Sequence, residues 1–355
     1  MSNVATAAAV APLPSFEERR RTSDRIFRGA VWFNVALTAF WLFSVFTHRG
    51  TAIFPHYNVD RAGVGRVVSG ILFFNVLWGF IWYGVKALLL KYFVGFSKED
   101  RRQAFSSRMR AAYDVSDLVA RYSERKIRIA DMIGRRGRFL TLGLSFFFYF
   151  YAREAVDHSP AFATAFLADN LFDAVASGWI FLSLFYNNGW LGAVFYGPQS
   201  RVMDGVLARA NCLLITTLWA AFKFVLVPVG ARLTAIFPPT TYAALFALIW
   251  GSYMAADGLS EVGGSLFGKQ RLKVPGIGDV NRKSVGGTVS GFVGALVLCL
   301  WVVLSQHLPA PWIGLAVVIA ISNTLLELFS PRGTDDVVMA IANALICWGF
   351  GALMY

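Results

Sequence analysis

The sequence predicts an all-α, polytopic transmembrane helical bundle of about nine spans with its amino terminus in the cytoplasm. Three observations predict it. Apolar residues make up 56% of the 355-residue chain, above the roughly 45–50% of soluble domains. Mean hydropathy is +0.54. Several apolar runs approach or exceed the ~18–20 residues that cross a bilayer. The net charge of +12 does not point to nucleic acid. The basic residues concentrate between the apolar runs, where they set orientation in the membrane.

Residues 1–26 pass from Ala-rich to charged (Glu17-Glu18-Arg19-Arg20-Arg21) and read as a disordered or interfacial terminus. The next run, Phe27 to Thr47, is too long for a signal-peptide core and lacks a cleavage site, so it is span one. Span two covers about 67–95, with Lys86 and Lys91 near its end, and residues 27–96 form a two-helix unit. Residues 97–138 are strongly basic, with Leu118, Ile127 and Ile133 among recurring apolar positions. They read as a cytoplasmic amphipathic connector of one or two helices, lying on anionic membrane lipid or packed under the spans.

Residues 139–355 hold the remaining spans, near 139–155, 173–197, 211–235, 241–257, 287–305, 312–329 and 337–355. Lys223 falls mid-span. A lysine there costs ~2.5–3.5 kcal/mol on insertion scales, so it should face a polar cavity or a carboxylate. Cys212, Cys299 and Cys347 lie within spans without paired spacing, which indicates neither a disulfide frame nor a zinc site. Nine spans put the 258–285 and 330–336 loops on the cytoplasmic side. His48, His56, His158 and His307 then fall on the other side, leaving Asp or Glu as the proton acceptor near those loops.

The stretch 257–291 carries the chemistry. Asp257, Glu261, Gly264 and Gly268 are spaced i, i+4, i+7, i+11, one stripe of a helix. Carboxylates hold Mg²⁺, and glycines let a phosphate approach the backbone. A basic loop with Lys269, Arg271, Lys273, Arg282 and Lys283 follows, ending in Lys283-Ser284 before Gly286-Gly287-Thr288. Cation, hydroxyl and glycine backbone at a helix start suit a phosphate. The same glycines, Gly264-xxx-Gly268 and Gly287-xxx-Gly291, also suit close helix packing in membranes. A second acidic cluster ends span eight and opens span nine. Asn323 and Glu327 share a helix face, and Asp335 and Asp336 follow a Pro331/Gly333 turn. Two carboxylate clusters around Mg²⁺, facing a Lys/Gly loop, compose a phosphoryl-transfer site. Ordinary helix caps and interfacial charges account for the same residues.

These motifs resemble the CTP-dependent polyprenol kinases (dolichol, phytol and farnesol kinases), relatives of phosphatidate cytidylyltransferase. That family carries Asp-x-x-Ala-x-x-x-Gly-x-x-x-Gly, a basic stretch, Lys-Ser/Thr-x-Glu-Gly, and later a Glu ahead of Asp-Asn. Here Asp257, Ser260, Gly264 and Gly268 match the first motif and Lys283, Ser284 and Gly287 the second. Glu327 and Asp335-Asp336 stand for the third. The resemblance covers about 250–345. Gly286 departs from it, removing a glutamate, and Asp336 stands where Asn is common.

The resemblance implies a lipid-alcohol kinase acting on an isoprenoid. Asp257, Glu327 and Asp336 would be catalytic, and Asp257, Glu261, Asp335 and Asp336 would hold Mg²⁺. Gly264, Gly268, Lys269, Arg271, Lys283, Ser284, Gly287 and Thr288 would bind CTP. The alternatives are a cytidylyltransferase acting on a lipid phosphate, whose long terminal signature is absent after residue 305, and a non-catalytic membrane protein of the same fold.

Overall fold

The computed structural model describes residues 15–47, 61–105, 115–146, 200–208, 229–275, 280–330 and 334–355, with scattered positions between 194 and 218. Helix accounts for 87% of them. Four helices among them are long and apolar enough to cross a membrane: Val76–Val94, Val285–Ser305, Pro311–Phe329 and Asp335–Met354. Most of the expected span at 173–197, Lys223 with most of its span, Cys212, and His48, His56 and His158 fall outside the described residues.

Helix α1 (Phe16–Thr47) begins eleven residues before the expected span, inside the charged terminus. A capping box starts it there. Ser15 Oγ accepts from the Glu18 amide at 3.2 Å, and Glu18 accepts from the Ser15 amide at 2.7 Å. Helix α2 (Arg61–Leu88) widens into a π turn (Leu89–Val94) that Gly95 ends at φ 91°. Only glycine takes that φ without strain.

The basic connector is a packed unit. It comprises α3 (Lys98–Phe105), α4 (Val115–Arg121) and the first half of α5 (Glu124–Phe146). Leu90, Phe96, Phe105, Leu118, Ile127 and Val202 form its core. Buried Asp100 accepts hydrogen bonds from Ser97, Tyr122 and, at 2.9 and 3.1 Å, Arg121. No break separates charged 124–138 from apolar 139–146; both lie on α5, against α2. Trp78 and Trp82 donate to Ser145 and Thr141 at 2.7 and 2.9 Å. A Cβ at Gly137 would sit 2.0 Å from the Trp82 ring, so the helices meet where a side chain is missing.

Lys86 crosses this interface fully buried. It pairs with Asp131 at 2.7 Å and donates to the carbonyls of Gly197 and Ser200 at 3.0 and 2.6 Å. The other Asp131 oxygen accepts from the Val202 amide at 2.7 Å. One ion pair thereby ties α2, α5 and the 3₁₀ turn Val202–Leu207.

The carboxyl-terminal bundle follows. A short α6 (Tyr242–Phe246) passes through a π turn (Ala247–Gly251) into α7 (Ser252–Phe267). The helix runs ten residues past the expected span end near 257, so Asp257, Glu261 and Gly264 lie on it as the stripe spacing predicts, with Gly268 at its C-cap. A hairpin follows, β1 (Arg271–Pro275) with β2 (Val280–Ser284), antiparallel with Arg271 opposite Ser284 and Leu272 opposite Lys283. This corrects the purely α-helical expectation, which made 269–283 a loop. Then come α8 (Val285–Ser305), α9 (Pro311–Phe329) and α10 (Asp335–Met354), within two residues of the expected spans. Their core includes Leu248, Ile249, Trp312, Ala316, Ala344 and Cys347. Within it, Asn323 and Asn343 donate to Ser252 Oγ at 2.9 and 3.1 Å.

Lys86→Met should destabilise the protein by about 3–5 kcal/mol, because it leaves Asp131 charged and buried. Thermal unfolding in detergent checks this, and Lys86→Met with Asp131→Leu should recover part of the loss.

Candidate functional site

The site forms where α7, α8, the hairpin and the facing ends of α9 and α10 meet. Glycines set the distance between α7 and α8. A Cβ on Gly287 would lie 2.7 Å from the Ser260 carbonyl oxygen, and one on Gly291 2.8 Å from that of Ala256. Both are closer than a carbon can approach, so this glycine pattern serves helix packing. Ser284 caps α8, its Oγ accepting from the Gly287 amide at 3.1 Å.

This close approach brings the acidic side chains of three helices together. Asp257 of α7, Glu327 of α9 and Asp335 of α10 each offer a carboxylate oxygen, all within 4.8 Å of one another. Lys283, at the end of β2, reaches Glu327 at 2.5 Å and Asp335 at 3.6 Å. Ser260 donates to the other Glu327 oxygen at 3.0 Å. Three clustered carboxylate oxygens are a donor set suited to a hard divalent cation such as Mg²⁺, so these residues fit one. Asp336 is outside the trio and interacts electrostatically with Arg136. Thr334, not an aspartate, occupies the cap position of α10, and both aspartates lie in its first turn, where the helix dipole favours them.

Helix α5 supplies residues that the motifs did not indicate. Arg136 contacts Asp257 at 2.6 Å and Glu261 at 2.5 Å, and donates to the Asp257 carbonyl at 3.0 Å. Arg135 contacts Glu261 at 2.5 Å, and Arg201 contacts it at 3.1 Å. Three guanidiniums thus engage Glu261, which sits apart from the carboxylate trio. Burial opposes its charge, but Arg135, Arg136 and Arg201 outweigh burial and hold the carboxyl well below the usual range. The same carboxylates more than offset the burial of Arg136 and keep it charged. One signal in the sequence marks part of this face, though not Arg136. Glu124, Arg128, Asp131, Arg135 and Arg138 recur at three- and four-residue steps, a polar stripe along α5.

A cavity of about 460 Å³ joins these parts. Asp257, Glu261, Gly264, Gly268, Arg271, Lys283, Ser284, Gly287, Thr288, Glu327 and Asp335 all line it. Arg128, Arg201 and Glu124 line it as well, from the connector and the turn after it. Lys269 is exposed and, like Asp336, is not part of the wall. Arg271 pairs with Glu124 at 2.9 Å. No protein-family profile, curated protein or solved structure matches this chain.

Glu261→Gln should flatten the acid limb of the stability curve. A depressed folded-state pKa stabilises above the unfolded value of about 4.3, and this stabilisation is lost as pH falls through the lower, folded value. The difference in unfolding midpoint between wild type and variant should therefore be largest near neutrality and shrink below pH 4. Gly287→Ala should cost roughly 1–3 kcal/mol through overpacking against α7, measured by the same unfolding assay.

Proposed function

We propose that this protein is a membrane-embedded lipid-alcohol kinase that transfers the γ-phosphate of CTP to an isoprenoid hydroxyl with Mg²⁺. One observation carries the proposal: three carboxylates from three helices lie within 4.8 Å of one another beside a lysine, on the wall of one cavity. Phosphoryl transfer needs this pairing of an oxygen cage for the cation with fixed positive charge for the phosphates. Asp257, Glu327 and Asp335 hold Mg²⁺, with Asp336 adjacent, and one carboxylate accepts the hydroxyl proton. Lys283 moves from Glu327 onto the phosphates. The preference for CTP and an isoprenoid comes from the motif resemblance at Asp257–Gly268 and Lys283–Gly287.

The lipid side of the site is apolar. Leu259, Phe267, Val289 and Phe329 are exposed on the helices that carry Ser260, Thr288 and Glu327, and a bilayer-dissolved alcohol could approach along them. The accompanying topology is nine spans with a cytoplasmic amino terminus. The site then opens to cytosolic nucleotide, in a bacterial inner membrane or an endoplasmic-reticulum-type membrane.

A second reading has its own observation. Asp257 is already paired with Arg136, and Glu327 with Lys283, so part of the centre's negative charge is already neutralised. A non-catalytic member of the same fold would keep such a network for structure alone.

Purified protein in nanodiscs, given labelled CTP, Mg²⁺ and a panel of prenols, should form CDP and prenyl phosphate. Asp257→Asn and Lys283→Ala should each lower the rate by about a hundredfold or more while eluting as folded protein. Pyrophosphate release with a lipid phosphate would replace the kinase by a cytidylyltransferase. No turnover with any lipid would leave the structural reading.

A further inference from the structure

The cavity has a second pole, to which the motif stretch contributes only Arg271. Arg128 and Arg271 both contact one oxygen, Glu124 Oε1, at 2.8 and 2.9 Å. Arg201 lines the same wall. These three side chains line the cavity and keep roughly one-third of their surface exposed, at 30%, 37% and 28%. Glu124 is therefore shared by two guanidiniums, and Arg201 turns its Nε to Glu261. Positive charge is crowded here. Burial and then the like charges of Arg271 and Arg201 push the Arg128 guanidinium below its ordinary value, despite Glu124. An arriving anion would relieve that repulsion.

We propose that Arg128, Arg201 and Arg271 form an anion subsite that takes a phosphate group of the ligand, and that Glu124 is the built-in counter-ion this phosphate displaces. The inference rests on the cavity's being a nucleotide site, and it deepens that reading. It places one phosphate contact on α5 and one on the turn at Arg201, both outside the region that carries the motifs. Planar guanidiniums converging on one oxygen match a phosphate oxygen as well as a carboxylate. Carboxylate trio and guanidinium group, sharing one cavity, would hold a polyphosphate between a cation and fixed positive charge.

The test uses the full-length protein in nanodiscs with EDTA present, so that divalent cations contribute nothing. Inorganic tripolyphosphate, CTP and a lipid phosphate monoester are titrated separately, following the unfolding midpoint and binding heat. Tripolyphosphate and CTP should bind, more weakly as salt rises. Arg128→Gln should weaken binding about tenfold, and Glu124→Gln should strengthen it by a similar factor. The gain with Glu124→Gln cannot arise from misfolding, so it carries the test if Arg128→Gln is unstable. Arg128-dependent binding of the lipid phosphate alone would also support the subsite, and would assign it to the membrane-side ligand.

Unchanged affinity in both variants, or weaker binding in Glu124→Gln, would overturn the subsite. The two proposals separate cleanly. Arg128-dependent polyphosphate binding without any CTP turnover leaves the subsite and removes the kinase. Full CTP turnover with binding indifferent to Arg128 and Glu124 does the reverse.

Discussion

Charges withdrawn from water need partners, and in this protein the partners come from far along the chain. Arg135 and Arg136 on α5 meet Asp257 and Glu261 on α7, more than a hundred residues later. Removing one member would strand the others in a medium that solvates charge poorly. The ionic contact therefore does what apolar packing cannot do alone. It fixes the axial position of α5 against α7 and, through α7, the position of the carboxylate trio. The Lys86–Asp131 pair applies the same constraint one turn earlier on α5. A shift of α5 by one turn would break both sets together.

The sequence was most legible where one apolar run makes one helix. Helices α8, α9 and α10 start and stop within two residues of expectation because Ser284, Pro311 and the Asp335–Asp336 turn mark their beginnings. It was least legible where charge and helix coincide. Hydropathy drops at Glu17–Arg21, yet that stretch is helical, and the helix expected through 124–138 runs unbroken into the apolar run after it. A capping box at Ser15 starts α1, and α5 pairs its charges with α7 instead of exposing them. Helix α7 likewise runs past Gly263 and Gly264, residues that weaken an isolated helix, because α8 packs directly on them. Alternation in Arg271–Pro275 and Val280–Ser284 is short and masked by lysine and arginine, which hid the hairpin.

At the site, periodicity within one segment was readable and meetings between segments were not. Spacing put Asp257 and Glu261 on one stripe, and they share Arg136, but their other partners differ. Asp257 joins Glu327 and Asp335, while Glu261 turns to three arginines. Those arginines lie in a region whose composition spoke only of a basic connector. The glycines illustrate an ambiguity that no spacing rule resolves. Gly264 and Gly287 line the cavity, yet Gly287 also lets α8 pack within contact of α7. Ser284 is similar, serving as helix cap and cavity wall at once.

Ser252 ties the completion of the bundle to its shape. Its hydroxyl receives amide donors from α9 and α10 and itself donates to the Leu248 carbonyl. Alone, α7 offers that hydroxyl only the Leu248 carbonyl one turn back. Asn323 adds its amide from α9, and Asn343 from α10. A bundle lacking either amide would leave that buried oxygen short of a donor, so this polar contact favours completion of all three helices together.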